Sequence, residues 1–249
     1  MDMDGAFKST CRVLFGREIG ALFRHKNYLS KLVDPPMEAT SSFSGKPVFL
    51  SRPHYCKGAK FIDVEEIGKA RSALSINYIK DVDSALSALS EKFAYCGNKN
   101  LGASVEVADS DMCNDCLGVL SSQNVISSKY VAYSNGVRES ECVFGCMLGG
   151  EVGFSLHSQI FFFSKRCFDA YMCFHSTDVY SSFNCRNCQD VMFSFNQNSK
   201  RNMIGNLELP KEKYLELKKK LVSEIASELV AKGNFPTVFE LAEGGAKHA

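Results

Sequence analysis

Cysteine is the residue type in this chain whose number and spacing could support chemistry. The sequence contains 11 cysteines in 249 residues. Two pairs, Cys113-x-x-Cys116 and Cys185-x-x-Cys188, have the spacing of a metal knuckle or a redox motif. Four thiolates around one ion would form a structural zinc site, with zinc as the cofactor. The candidate metal ligands are therefore Cys113, Cys116, Cys185 and Cys188.

Groups that could catalyse a reaction are sparse. His157 and His175 could each act as a general base, but neither has a nucleophile or a carboxylate beside it in the sequence, and both are expected on the surface. Gly149-Gly-Glu matches signalling-cyclase sites over three letters only, and outside their fold it predicts a turn. The chain has no phosphate loop, Rossmann fingerprint, nucleophile elbow or H-E-x-x-H motif. We predict a protein that is not an enzyme.

A three-residue frame positions most of the cysteines. From Ser110 to Ser194, every third residue is Ser, Cys, Val, Gly or Ala, with Phe161 as the one bulky exception and no charge. This period matches neither an α-helix nor a flat strand. It matches a narrow solenoid of short strands and tight corners in which every third side chain points inward. An antiparallel β domain with an accidental pattern is the alternative.

Larger residues that follow the frame positions indicate the length of one coil. Equivalent residues of successive coils would lie about 4.8 Å apart and form stacked ladders. The predicted fold is therefore mainly β with flanking helices (α+β), a narrow parallel β-solenoid with about 12 residues per coil, although longer coils remain an alternative. Two series recur at intervals of 12: Phe144, Leu156, Phe168, Tyr180, Met192 and Ile204, and Tyr171, Phe183, Phe195 and Leu207.

The frame changes the interpretation of the cysteines. Seven of the eight between residues 110 and 190 lie at inward positions, where other coils have Ser or Val. Cysteine then serves mainly as a small buried hydrophobe, and no cofactor is needed. Metal or iron–sulfur binding stays open as an alternative. So do disulfides between coils, which the spacing of Cys167 and Cys173 suggests.

The overall composition bears on partners and location. With 45% hydrophobic and 23% charged residues, the chain has the composition of a folded protein. Its 29 basic and 28 acidic residues give no electrostatic basis for binding nucleic acid or an anionic membrane. The sequence lacks an apolar run near 18 residues, and its acidic start is unlike a signal peptide. We expect a cytoplasmic protein with reduced thiols and no membrane partner.

The segment before the frame combines helical and hairpin patterns. Residues 5–33 are loosely helical, and residues 64–95 have apolar side chains at helical spacing. Between them, residues 40–66 alternate like a hairpin whose turn lies near Arg52-Pro53. These patterns predict an α+β region ahead of the solenoid.

We divide the chain into three regions: an N-terminal region at 1–100, a solenoid at 101–208, and a C-terminal helix and tail at 209–249. Pro210 begins the amphipathic helix and Gly233 ends it. A solenoid needs its apolar flanks covered, and the terminal helices are the expected cover. Binding to a partner's groove is the functional alternative for the C-terminal helix.

The repeat unit reads S-x-x-[VC]-x-x, as in Ser164-Lys-Arg-Cys-Phe-Asp, Ser176-Thr-Asp-Val-Tyr-Ser and Cys188-Gln-Asp-Val-Met-Phe. In this unit, and in the exit through Asn198-Ser-Lys-Arg-Asn-Met-Ile-Gly-Asn, the chain resembles a family of uncharacterised cysteine-rich repeat proteins from archaea and small-genome bacteria. The similarity covers about residues 110–240. It implies a β-helical fold and no known activity.

Those relatives often begin with zinc-ribbon-like knuckles of the form C-x-x-C-G-K. Here Ser41-Ser-Phe-Ser44-Gly-Lys has serines at the ligand positions, and Tyr55-Cys56-Lys-Gly-Ala59 looks like the partner knuckle with one thiol lost. Serine is not a zinc ligand, and His54 with Cys56 would supply only two. The resemblance implies a degenerate zinc-ribbon-like hairpin.

Outward-facing aromatic residues are too numerous to remain exposed to solvent on a soluble monomer. Either the terminal segments cover them, or a second copy or another protein does. We predict a non-catalytic structural or interaction protein that presents a rigid solenoid face, within a homo-oligomer or larger assembly. A metal- or nucleic-acid-binding module is the alternative. The predicted interaction face consists of Phe144, Phe162, Phe168, Tyr171, Phe174, Tyr180, Phe183 and Phe195.

Overall fold

A computed structural model describes residues 1–51, 54–71 and 73–240. The chain from residue 100 to 208 winds into a parallel β-solenoid of about nine turns with roughly 12 residues per coil. Each strand pairs with the strands one coil before and after it, so that Lys129 lies between Leu117 and Glu141. This confirms the predicted solenoid and its coil length.

Each full coil contains two four-residue strands separated by bends. Within the solenoid, longer strands occur at residues 165–171 and 177–186. The solenoid strands are β5 (Asn100–Leu101), β6 (Val105–Ala108), β7 (Asp111–Asn114), β8 (Leu117–Leu120), β9 (Gln123–Ile126), β10 (Lys129–Ala132), β11 (Asn135–Arg138), β12 (Glu141–Phe144), β13 (Met147–Gly150), β14 (Gly153–Leu156), β15 (Gln159–Phe162), β16 (Lys165–Tyr171), β17 (Thr177–Arg186), β18 (Gln189–Met192), β19 (Phe195–Asn198), β20 (Arg201–Ile204) and β21 (Leu207–Glu208).

The three-residue frame has a backbone cause. The residue before almost every inward position has a left-handed conformation, as at His157 (φ 54°), Ile160 (φ 50°) and Phe163 (φ 54°). One left-handed residue in every three turns the chain repeatedly, which produces a narrow coil in place of an extended strand with a period of two.

Serine alternates with apolar residues because the bends need a hydrogen-bond acceptor. The Ser122 hydroxyl donates to the Leu120 carbonyl (2.8 Å) and accepts from the Ser134 amide one coil later (3.0 Å). Ser134 does the same for Cys146. From Cys113 to Val191, the inward strand positions between the bends hold Val, Cys or Phe161, apart from Gly149 and Ser155, and all are buried. Inward serines therefore satisfy buried amides that would otherwise lack partners.

Gly149 and Gly150 lie in strand β13, and only Glu151 lies in a bend (φ 52°), so the turn predicted at Gly149-Gly-Glu is confined to its last residue. A Cβ at Gly149 would lie 2.9 Å from the Phe161 ring, and a Cβ at Gly150 would lie 2.9 Å from the Phe162 ring. Each glycine leaves room for a phenylalanine one coil later. This explains how the interior accommodates its single bulky residue.

Two helices cover one side of the solenoid, as predicted. Helix α1 (Met3–Phe15) places Phe7 at 5.3 Å from the Phe144 ring and Phe15 at 5.1 Å from the Phe168 ring. The long C-terminal helix, Lys211–Lys232, begins after Pro210 and ends at Gly233, as its sequence signals indicate. Both bury the covered ladder, which consists of Phe144, Leu156, Phe168, Tyr180, Met192 and Ile204.

Several predicted helices are shorter than expected. The segment 5–33 gives α1, a 3₁₀ turn at Leu22–His25 and α2 (Lys26–Leu29), because Gly16 ends α1 in a left-handed conformation (φ 71°). The described part of 64–95 forms two 3₁₀ turns and two helices: Val64–Glu66, α3 (Ile67–Ala70), Ile76–Tyr78 and α4 (Val82–Lys92). The C-terminal helix is accordingly α5. Of the region 209–249, residues 241–249 lie outside the described residues.

The N-terminal hairpin differs from the prediction. β1 (Met37–Thr40) pairs with β2 (Pro47–Leu50) in antiparallel fashion, whereas β3 (Lys60–Asp63) pairs in parallel with β4 (Ala94–Gly97). The hairpin turn therefore lies within Ser41–Lys46, where Gly45 adopts φ 73°. The turn predicted near Arg52-Pro53 lies outside the described residues.

Other segments of the chain contact the solenoid near both of its ends. At the first coils, Asp111 accepts hydrogen bonds from the Ser51 amide and from the Lys99 ammonium, 2.8 Å each. At the last coil, β21 turns back and pairs with β20 in antiparallel fashion. The pairing with β21 occupies the outer edge of β20, whereas β6 in the first coil pairs with β8 alone.

Candidate interaction surface

The structure does not bring the four candidate zinc ligands together. Cys113 and Cys116 lie six coils from Cys185 and Cys188, a distance of roughly 29 Å at one strand spacing per coil. Within the described ranges, His, Cys, Asp and Glu form no group of three or more that could hold a metal ion. The two pairs are therefore unable to serve a single ion.

The inward cysteines are buried, and their thiols are free. Burial raises the pKa of Cys113 to about 12, and it does the same for Cys167. A hydrogen bond with Cys173 raises the pKa of Cys185 to about 12. Protonated thiols are poor nucleophiles and poor metal ligands. These contacts support the role of small buried hydrophobes.

The serines that stand in the zinc-knuckle motif hold a carboxylate. The Ser41 hydroxyl accepts from the Phe43 amide (3.1 Å) and the Ser44 amide (3.2 Å), and it donates to Glu66 Oε2 (2.5 Å). Hydrogen bonds from Ser41 first, and then from Ser44, lower the pKa of Glu66 to about 2. Cys56 is exposed. The turn is thus fixed by hydroxyl and carboxylate contacts.

His157 is buried, not on the surface as expected, whereas His175 is exposed. His157 stacks against the Tyr28 ring (4.1 Å), and its Nδ1 lies 3.6 Å from Asp169 Oδ1. Ser181 follows one coil later, so the three share a column at intervals of 12. Sequence reasoning missed this column, although the interval would have identified it.

The order within this column argues against a catalytic triad. In a Ser-His-Asp triad the imidazole lies between the serine and the carboxylate, so that it can take the serine proton. Here Asp169 lies between His157 and Ser181. Burial raises the pKa of Asp169, because its charged form is poorly solvated. The arrangement therefore places a carboxyl group, and not an imidazole, next to Ser181.

The eight residues of the predicted interaction face fall into three groups. Phe144, Phe168 and Tyr180 belong to the covered ladder and are at most 1% exposed, so they cannot contact a partner. They are buried because α1 and α5 fold back over them. The others are at least partly exposed: Tyr171, Phe183 and Phe195 in one column, and Phe162 and Phe174 in another.

The first exposed column lies beside the C-terminal segment. The Phe239 ring contacts Tyr171 at 4.8 Å, and Tyr171 stacks on Phe183. An apolar groove of about 560 Å³ lies between Phe183, Phe195 and Phe239. This column is therefore partly covered by the chain's own C-terminal residues.

The second column belongs to a larger apolar surface on the side away from the covered ladder. Phe163 and Leu148 are 49% and 46% exposed, and the other members are partly exposed. Within the described part of the chain, no helix packs on this side. We call this surface the open face; it consists of Leu148, Ile160, Phe162, Phe163, Met172 and Phe174.

Aromatic rings of the open face stack on one another along the solenoid. Phe162 and Phe174 are 6.0 Å apart with nearly parallel planes (6°), and Phe163 and His175 are 4.6 Å apart (2°). The Arg186 guanidinium lies 5.3 Å from the Phe174 ring centre. The rings thus occupy one another's faces and present mainly their edges to solvent.

Opposite charges flank the open face along the solenoid axis. Glu151 precedes Phe163 by one coil, and Arg186 follows Phe174 by one coil. Both are exposed, and neither has an ion-pair partner within the described ranges. Arg138 and Glu139, both exposed, lie one coil before Gly150 and Glu151. The open face is therefore apolar at its centre, with two glutamates and one arginine at one end and Arg186 at the other.

Two further results concern membrane-spanning helices and similarity to known proteins. Of the helices in the described residues, none combines the length and the apolar character needed to cross a bilayer. No protein-family model, curated protein or solved structure matches the chain.

Proposed function

We propose that the protein is a non-catalytic interaction scaffold that presents the open face to another protein chain, within a homo-oligomer or a larger assembly. One observation carries the proposal. The chain covers one apolar ladder with its own helices, yet it leaves a second apolar surface exposed. A contiguous exposed apolar surface on a folded domain is typical of a protein–protein interface.

The open face is also preorganised: its backbone and its aromatic side chains are held in place before a partner binds. Its residues stand on a backbone held by parallel pairing and by inward serines. Ring stacking restricts the side chains before a partner arrives. The side chains of the open face therefore lose little conformational entropy on binding, which increases the affinity for a given buried area.

Ring geometry favours a protein partner over nucleic acid. Proteins that hold single strands stack bases on exposed ring faces beside a basic groove. Here stacking between Phe162 and Phe174 uses ring faces, and the flanking Glu151 would repel phosphates. Apolar contacts with side chains of another protein need only the exposed edges.

Site-specific photo-crosslinking tests the proposal in the full-length protein. We would place a benzophenone amino acid at position 163 and, as the control, at Phe43, which is 54% exposed in the N-terminal region. We expect position 163 alone to give a discrete protein adduct in an extract of the source cells, and Leu148→Ser to weaken it. Equal labelling from both positions, or an adduct that nuclease removes, would contradict the proposal.

A further inference from the structure

We infer that the chain bound at the open face is a second copy of this protein, packed antiparallel across a two-fold axis between Phe162 and Phe174. The inference rests on the proposed function and specifies its partner. It is carried by the position of two charges, Glu151 and Arg186, at equal distances from the centre of the open face.

A two-fold axis that joins two copies face to face lies in the plane of their interface. If it runs across the coils, it reverses the solenoid direction in the second copy. The coil of Phe162 and Phe163 then faces the coil of Phe174 and His175 of the other copy. The apolar centre of each open face meets the apolar centre of its partner.

The same operation brings opposite charges together. It places Arg186 of one copy against Gly150 and Glu151 of the other, and the pair occurs twice. An axis parallel to the solenoid would instead place Arg186 against Arg186 and Glu151 against Glu151. Arg138 lies one coil beyond Gly150, and the exposed Glu139 next to it offsets its charge. The two Arg186–Glu151 pairs therefore favour the antiparallel arrangement over the parallel one.

The contacts that the chain makes near the solenoid ends leave the open face uncovered. The N-terminal region occupies the first coils through Asp111, and β21 occupies the last coil. The pairing with β21 blocks strand addition at the outer edge of β20. An isologous pair uses both open faces completely and does not propagate into fibres.

Charge reversal tests the arrangement by sedimentation velocity. Within one chain, residues 151 and 186 are three coil spacings apart, roughly 14 Å, so they do not contact each other. We expect the wild type to reach twice its 27.6 kDa mass at micromolar concentrations. Arg186→Glu and Glu151→Arg should each raise the dimer dissociation constant at least roughly tenfold, because each creates two like-charge contacts.

Combining the two changes in one chain recreates both ion pairs with reversed sign, so Arg186→Glu/Glu151→Arg should restore dissociation close to the wild-type value. Failure of this rescue, with all variants folded by circular dichroism, overturns the antiparallel pairing. A wild type that stays monomeric overturns the inference.

The crosslinking experiment distinguishes failure of the dimer inference from failure of the proposed function. A monomeric wild type that still gives a specific adduct at position 163 retains the proposed function with another protein as partner. If Leu148→Ser and Phe163→Ser leave the dimer unchanged, association does not involve the open face. This result overturns both the dimer inference and the proposed function.

Discussion

The covered ladder and the open face lie half a coil apart and share the same spacing, yet they differ in what surrounds them. Leu156 and Phe162 are six residues apart in one coil; the first is fully buried, and the second is partly exposed. Helices α1 and α5 pack on the covered ladder. The comparison teaches that a repeat creates equivalent apolar columns, and that flanking segments decide which columns remain available to a partner.

The strongest test of this difference is truncation of one ring on each side. Phe144→Ala should lower the free energy of unfolding by about 3–5 kcal/mol, because it leaves a cavity beneath Phe7. Phe174→Ala should cost about 1 kcal/mol or less at low protein concentration, since its ring is partly exposed. Urea denaturation measures both, and equal costs would contradict the distinction.

The two adjacent glycines sharpen the comparison between interior and surface. Gly149→Ala should destabilise the protein by about 1–3 kcal/mol, because Phe161 is enclosed and cannot move away. Gly150→Ala should cost less, since the partly exposed Phe162 ring can shift toward solvent. Adding Phe161→Val to Gly149→Ala should recover most of the loss; no recovery would exclude the ring clash as the cause.

Lys218 tests how α5 is held over the covered ladder. Its ammonium lies 2.8 Å from Asp190 Oδ1 and 3.5 Å from Asp178 Oδ1. Lys218→Met should lower the free energy of unfolding by about 1–2 kcal/mol at neutral pH, because two partly buried carboxylates lose a partner. Lys213→Met, whose partner Glu216 is exposed, is the control and should have almost no effect.

The cost of Lys218→Met should depend on pH. Burial alone would raise the pKa of Asp178, but hydrogen bonds from Arg166 and the charge of Lys218 lower it overall. A carboxyl group with a lowered folded-state pKa stabilises the protein above its usual value near 4, and this contribution is lost as the pH falls further. The difference between variant and wild type should therefore shrink near pH 3. A constant difference would exclude the ion pairs as its source.

Thiol reactivity compares the N-terminal region with the solenoid. Cys56 is exposed and should react with a disulfide reagent within seconds, and the partly buried Cys96 should follow more slowly because burial raises its pKa. The other nine thiols are buried and should react only after unfolding. Rapid reaction of more than two thiols in the native protein would contradict the assigned interior.

Much of the fold is encoded locally and could be predicted. The three-residue frame reflects the recurring left-handed residues and the serines that serve the bends, so it identifies the inward side chains. The 12-residue ladders fix the coil length because adjacent strands pair in register. Pro210 and Gly233 mark the ends of α5 because they act on the local backbone.

Long-range packing could not be predicted in the same way. Nothing local distinguishes Phe144, which α1 covers, from Phe174, which no described helix covers. The pairing of β3 with β4 joins residues more than thirty positions apart, so a simple alternation pattern mistook it for a hairpin. His157 is buried because Tyr28 from the N-terminal segment stacks on it. In each case, the decisive contact comes from a distant segment.

Native mass spectrometry of the freshly purified, reduced protein tests the central claim most directly, with Leu148→Ser/Phe163→Ser as the paired variant. We predict twice the 27.6 kDa chain mass for the wild type, no mass added by metal, and a single chain for the variant. A single wild-type chain that carries zinc or iron would contradict the account. So would a dimer that persists in the variant, since the open face would then not hold the two chains together.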